Sequence, residues 1–233
     1  MSSDVRRVSV VTGGGRGIGK ATADLLSERG FTTIRISRTL DESDMNWRCD
    51  VGDEQDVSRV FKEIGDRYGR LDALVNAAGV VSMSGPLDVA VSEWMDIMRT
   101  NVIGAYLCCK HAIPLMSRRH YGRVVNVSSI ASRGYSETAS VAYTASKYAL
   151  NGLTRQLAVN FAKDGICINC VCPSQTRTEM VAAVPADELA NRLSRSALGR
   201  LAEPDEVAEA IAFLASEGAS YVNGALVDVN GGS

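Results

Sequence analysis

From one end to the other, short runs of β-branched residues alternate with longer stretches in which apolar side chains recur every three or four positions. The first pattern belongs to buried strands and the second to helices with one apolar stripe. Val8–Thr12 predicts a strand, and Ile18, Ala21, Leu25 and Leu26 predict the inner face of a helix that Gly30 ends. Thr32–Ser37 and the short Trp47–Asp50 are the next strands, joined by a polar link too short for much of a helix. Asp53 stands at an N-cap position, ahead of a helix facing inward through Val57, Val60, Phe61, Ile64 and Tyr68. A strand at Ala73–Asn76, a long helix from about Ser92 to Arg119 and a strand at Arg123–Ser128 follow. The next helix, about Ala142 to Ala162, carries Leu150, Leu153, Leu157 and Phe161 on one face. Ile166–Cys172 and Ala225–Val229 complete the strands, with Pro204 opening a helix whose apolar side is Val207, Ala210, Ile211 and Leu214. Strands alternating with helices throughout predict an α/β fold of three layers, a doubly wound seven-stranded parallel sheet covered on both faces. No repeat, low-complexity tract or linker divides the chain, so residues 1–233 are expected to form a single domain.

Composition narrows the function classes. Hydrophobic residues make up 45% and charged residues 22%, the balance of a globular protein with a full core. A net charge of −2 gives no reason to expect nucleic acid or an anionic membrane as partner. The basic cluster Arg118-Arg119-His120 reads as a solvated helix end. No stretch approaches the roughly 18 apolar residues of a membrane span. The apolar run Val8–Val11 stops too soon for a signal-peptide core, so a cytoplasmic protein is expected. Three of the six cysteines crowd together as Cys167, Cys170 and Cys172, but His111 and His120 are the only histidines. A metal site needs further ligands at matching spacing, so no metal is expected and the thiols are read as buried in a strand.

Between the first strand and the first helix lies Thr12-Gly13-Gly14-Gly15-Arg16-Gly17-Ile18-Gly19. Glycines there permit a tight turn and let the backbone approach a pyrophosphate, which the free N–H groups and dipole of a helix N-terminus attract. The order strand, loop, helix is the context that makes this a Rossmann-type dinucleotide site. Sites for NAD place an acidic residue about 20 residues on, against the ribose 2′-hydroxyl. Here the second strand ends Ile36-Ser37-Arg38, without a carboxylate. A hydroxyl and a guanidinium at that point, joined by Arg16, suit a 2′-phosphate, so NADP(H) is expected rather than NAD(H).

Tyr143 and Lys147 are four residues apart on a predicted helix, so their side chains share a face. An ammonium beside a phenol favours the phenolate, the arrangement a tyrosine needs to act as general acid and base. With that pair the motifs fall into a known order. Thr-Gly-x-x-x-Gly-x-Gly at Thr12–Gly19, Asn76-Ala77-Ala78-Gly79 after a strand, Asn101, Ser129 and Tyr143-x-x-x-Lys147 resemble the short-chain dehydrogenase/reductases. The resemblance runs nearly end to end, through Pro173 and the closing Asn230-Gly231-Gly232, and is greatest to the smaller single-domain reductases, including 3-oxoacyl-acyl-carrier-protein reductases.

The resemblance implies a role for each matching residue. Tyr143 would exchange a proton with the substrate oxygen, and Lys147 would assist it and hold the nicotinamide ribose. Ser129 would hydrogen-bond the same oxygen, and Asn101 would keep the helix geometry and a proton-relay water. Asp50 and Val51 would meet the adenine, Asn76, Ala77, Ala78 and Gly79 would line the cofactor cleft, and Pro173, Thr176 and Thr178 would adjoin the nicotinamide, Thr176 by its backbone and Thr178 by its hydroxyl. It also implies a homotetramer. Three departures stand out. Ser129 precedes Tyr143 by one residue more than the family spacing, which leaves Ser128 and Ser132 as alternative partners. Ser174 replaces a usual glycine, with a side chain to crowd the nicotinamide end or reshape the substrate pocket, and the short link from Arg38 to Trp47 trims the adenosine side. The segment from Gln175 to about Leu198 carries Met180, Val181, Val184 and Leu189, either as a substrate lid or as ordinary core. The expected activity is reduction of a ketone or oxidation of a secondary alcohol, with a 3-oxoacyl thioester as one substrate class and sugars, polyols or secondary metabolites as others. The rival class is a dinucleotide-binding redox sensor, which has no need of Asn101, Ser129, Tyr143 and Lys147 together.

Overall fold

The computed structural model describes residues 6–182, 186–194 and 196–233. Its strands are β1 (Val8–Thr12), β2 (Thr32–Ser37), β3 (Asn46–Arg48), β4 (Ala73–Asn76), β5 (Gly122–Val127), β6 (Ile166–Pro173) and β7 (Leu226–Val229). All pair in parallel, in the order β3-β2-β1-β4-β5-β6-β7. The helices are α1 (Gly17–Glu28), α2 (Glu54–Tyr68), α3 (Val91–Met98), α4 (Gly104–Ser117), α5 (Val141–Phe161), α6 (Glu179–Ala182), α7 (Ala186–Leu193) and α8 (Pro204–Leu214).

Strand alternation builds two cores, one on each face of the sheet. Val10, Leu74, Val124 and Ile168 face Phe61 and Ile64 of α2, Leu107 and Met116 of α4 and Ala158 of α5. Val11, Val75, Val125 and Val171 face Ala23 and Leu26 of α1 and Val207 and Ile211 of α8. The doubly wound architecture expected from the sequence is the one observed. Asp53 caps α2 as expected, its carboxylate accepting from the N–H groups of Gln55 (2.9 Å) and Asp56 (3.1 Å). Pro204 is the first residue of α8, where Glu206 reaches back to the Glu203 N–H at 2.8 Å. No helix among the described residues is long and apolar enough to cross a membrane.

Most boundaries shift by a residue or so, and two depart from the sequence reading for a physical reason. The long helix expected from Ser92 to Arg119 is broken by a π-helical turn, Arg99–Ile103, between α3 and α4. A π-turn adds one residue and rotates the apolar stripe, but from Val102 to Cys109 the chain is apolar on nearly every side, so the slip leaves no mark in the pattern. The third strand stops at Arg48 instead of reaching Asp50, because Asp50 turns the chain by accepting from the Gly52 N–H at 2.9 Å. Within the expected lid, α6 and α7 are short; Val184 and the Met180 side chain lie outside the described residues, and Val181 and Leu189 are half-buried.

The strand order reverses beside β1, since β2 and β3 lie to one side of it and β4 to β7 to the other. Connections leaving β1 and β4 therefore diverge and open a crevice at the carboxyl ends of the strands, where doubly wound sheets hold ligands. Thr12 pairs with Asn76 across that point, so the glycine-rich loop and Ala77–Gly79 emerge side by side.

Candidate active site

The glycine-rich loop is packed too closely for side chains. Gly13 has φ +65°, and a Cβ there would lie 3.0 Å from the Ala78 backbone; a Cβ on Gly19 would lie 2.3 Å from the Gly13 carbonyl oxygen. The Ala78 N–H donates to Thr12 Oγ1 at 2.9 Å, fixing the two loops together. Arg16 is the N-cap of α1 but makes no capping bond, and no side chain among the described residues accepts from the amides of that helix end. A bare N-terminus beside a cradle without Cβ atoms fits a pyrophosphate. Ile18 is half-buried against the core under α1 and α8. Thr178 arches over the loop, its Cγ2 standing 3.1 Å from where a Gly17 Cβ would be. The Thr176 side chain is buried and bonds the Ser174 carbonyl at 3.2 Å. Pro173 is buried at the end of β6.

At the end of β2, Ser37 accepts from the Thr39 N–H at 3.3 Å. Arg38 is exposed and has no hydrogen-bond or ion-pair partner among the described residues. Arg16 is instead paired with Glu179 of α6 at 3.1 Å, bridging the loop to the segment that follows β6. Asp50 is engaged by Gly52 N–H and by Arg99 at 3.3 Å. Val51 is buried against Gly104, where a Cβ would approach it to 2.8 Å. Asn76 ends β4 with its side chain turned into the core. Its side chain is buried and donates to Asn126 at 2.8 Å, Asn126 donates to Thr154 at 2.8 Å, and Thr154 bonds the Leu150 carbonyl at 2.8 Å. That polar column ties β4 and β5 to α5.

Tyr143 and Lys147 lie on α5, with Lys147 Nζ 5.5 Å from the Tyr143 ring centre. Lys147 is only 5% exposed, and its ammonium donates to the Val127 carbonyl at 2.9 Å. Tyr143 is half-buried. Asn101 sits in the π-turn, 1% exposed, accepting from the Val80 N–H (2.8 Å) and donating to the Val80 carbonyl (2.9 Å) and Ser146 Oγ (3.0 Å). Gly79 packs against both groups, since a Cβ there would meet Asn101 Oδ1 at 3.5 Å and Lys147 Nζ at 3.7 Å.

Among the three serines open as partners of Tyr143, two are committed to the interior. Ser128 and Ser132 are buried and bond each other at 3.0 Å; Ser128 also donates to the Lys147 carbonyl and Ser132 to the Ser129 carbonyl. Ser129 is half-buried, accepts from the Ala131 N–H at 3.1 Å and donates to nothing among the described residues. Between Ser129 and Tyr143 the chain passes through the largely exposed loop 133–139, which has room for a residue more without disturbing the core. Ser174 turns its hydroxyl to the Gln175 N–H (2.6 Å) and to Ser233 Oγ (3.3 Å). Two residues that the motif reading missed complete the surroundings of Tyr143: Ser140 caps α5 and Ser146 bonds the Tyr143 carbonyl. Ser140 was readable as an N-cap three residues ahead of Tyr143; nothing in the sequence marks Ser146.

Cys170 and Cys172 are buried in β6 and Cys167 is half-buried. Burial pushes the Cys109 thiol up to about 12. Among the described residues no three His, Cys, Asp or Glu side chains gather to hold a metal ion.

A family model described as enoyl-(acyl carrier protein) reductase matches residues 13–233. The chain belongs to the short-chain dehydrogenase/reductase family of oxidoreductases, which bind a nicotinamide dinucleotide. Cis-4-hydroxycyclohexanecarboxylate dehydrogenase of Sinomonas cyclohexanicum is 41% identical, over 97% of this chain and 96% of that protein. A 3-oxoacyl-(acyl-carrier-protein) reductase of Vibrio harveyi is 35% identical over 97% of this chain and 96% of its own. The solved structure of ElxO with NADP bound has a TM-score of 0.90 and 30% identity, covering 97% of this chain and 98% of that one.

Gly19→Ala should weaken dinucleotide binding by about tenfold or more, roughly 1.4 kcal/mol, because the added Cβ would strike the Gly13 carbonyl. Fluorescence titration with NADPH measures this; unchanged affinity would contradict the cradle.

Proposed function

We propose that the chain reduces a ketone, or oxidises the matching secondary alcohol, with NADP(H) as hydride carrier and Tyr143 as general acid and base. The observation that carries this reading is the half-buried Tyr143 one helical turn from the buried ammonium of Lys147, at the crevice where an uncapped glycine-rich loop meets Gly79. Bound there, the nicotinamide supplies or accepts the hydride. Tyr143 gives its proton to the carbonyl oxygen as the carbon becomes an alcohol, with Lys147 Nζ 5.5 Å from its ring centre. The Val127 carbonyl holds that ammonium in place. Ser129, the one serine of the three with an uncommitted O–H, donates to the same oxygen. Asn101 acts on geometry, clamping Val80 to the π-turn.

NADP(H) is favoured by the guanidinium of Arg38 beside Ser37, exposed and without a partner among the described residues, and by the missing carboxylate at the end of β2. Arg16 joins them by exchanging Glu179 for the phosphate, an ion pair exposed enough to cost little when broken. Asp50 and Val51 border the adenine, and Thr176 and Thr178 hold the carboxamide. Residues 1–233 act as a single domain, with about 175–198 closing over substrate. The substrate is a 3-oxoacyl thioester or, as a second reading, a cyclic hydroxy acid, which the 41% identity to the hydroxycyclohexanecarboxylate enzyme favours.

Assembly as a homotetramer accounts for the apolar side chains exposed on α3 to α5, among them Met95, Tyr106, Tyr148 and Val159. Size exclusion should return four chains per particle, and a monomer would contradict it.

The decisive assay is NADPH oxidation with a short 3-oxoacyl thioester and with 4-oxocyclohexanecarboxylate. Tyr143→Phe should lower kcat by about 100-fold or more. Arg38→Ala should weaken NADPH by about tenfold, as expected for losing a charged hydrogen bond, and leave NADH unchanged. Full turnover in Tyr143→Phe would remove it from the chemistry, and equal losses for the two dinucleotides would remove Arg38 from 2′-phosphate recognition.

A further inference from the structure

The peptide of Tyr143 is gripped from both sides. Its N–H donates to Ser140 Oγ at 3.3 Å and its carbonyl accepts from Ser146 Oγ at 2.6 Å. Both serines are tied in turn to the loop that joins β4 to α3. Ser146 Oγ accepts from Asn101, which clamps Val80. The Ser140 N–H donates to the Ser82 carbonyl at 2.8 Å.

Burial does little to hold that loop in place. Met83 is half exposed and Leu87 is 96% exposed. Hydrogen bonds therefore carry much of its positioning, and one carboxylate takes two of its hydroxyls. Glu93, in the first turn of α3, accepts from the hydroxyl of Ser82 and, at 2.9 and 3.0 Å, from that of Ser84. A carboxylate has two oxygens and no donor, so it can take several hydroxyls at once, and charge strengthens each bond.

We propose that Glu93 is a positioning residue for proton transfer: by holding Ser82 and Ser84 it fixes the loop against which the N-cap of α5 is set, and so fixes Tyr143. This rests on the reading of Tyr143 as the proton donor. Glu93 acts only through the serines, so its removal loosens the first turn of α5 and leaves the dinucleotide cradle of β1 and α1 intact. Gln keeps one acceptor oxygen and should preserve much of the effect.

Two measurements test this. Amide exchange across residues 141–147 should speed up in Glu93→Ala and return toward the unmodified rate in Glu93→Gln. With NADPH and 4-oxocyclohexanecarboxylate, Glu93→Ala should lower kcat by about tenfold, the scale of a small misplacement of a reacting group. NADPH affinity should change by less than about twofold, within the scatter expected when no contact is lost. Adding Ser82→Ala to Glu93→Ala should cost little more, since both break one connection. Unchanged exchange, full kcat in Glu93→Ala, a matching loss of NADPH affinity or additive losses in the double variant overturns the proposal. Tyr143→Phe, measured alongside, separates the two ideas: turnover retained there overturns both, whereas turnover lost there with normal Glu93→Ala overturns the role of Glu93 alone.

Discussion

The parallel pairing of β1 with β4, Thr12 opposite Asn76, decides where every other part of the crevice can stand. With β2 on the far side of β1, the two connections diverge, and the glycine-rich loop meets Ala77–Gly79 at van der Waals contact. That contact leaves no room for a Cβ at Gly13, and the turn of the loop on itself leaves none at Gly19, against the Gly13 carbonyl. The contact also brings Gly79 against Asn101 and Lys147. The glycine-rich loop and the Tyr143–Lys147 helix, more than 120 residues apart in sequence, thus come to the same crevice on either side of Gly79.

The helix that carries Tyr143 and Lys147 needs its own anchor, and most of it is polar. The column from Asn76 through Asn126 to Thr154, and the bond from Lys147 to Val127, run between the sheet and α5. In a low-dielectric interior such bonds are strong when complete and costly when broken, so they define one position for the helix where apolar packing alone would tolerate several. Lys147 thereby serves two ends, holding α5 to the strand and keeping a positive charge near Tyr143.

Much of this could be read from the chain. Period-two and helical apolar patterns yield the sheet, its parallel sense and most boundaries because burial on two faces leaves a strong imprint. The glycine-rich loop and the four-residue spacing of Tyr143 and Lys147 mark the candidate site in the chain, because a turn without Cβ atoms and a shared helix face are both legible there. The π-turn at Arg99–Ile103 stayed hidden because its surroundings are apolar all round. The choice among Ser128, Ser129 and Ser132 depends on which hydroxyls the core has already used, a fact of three-dimensional bonding that spacing does not carry. Asn76 shows the reverse limit: its motif position suggests the cleft, yet its amide serves the core.

The proposed reaction passes a hydride between a nicotinamide and a carbonyl carbon in this crevice. Its most direct test is the fate of label from NADPH deuterated at the transferable position, with mass spectrometry of the alcohol formed from each ketone. Deuterium bound to the carbinol carbon, retained after exchange in ordinary water, is the predicted result. An alcohol formed without deuterium on that carbon would contradict the account.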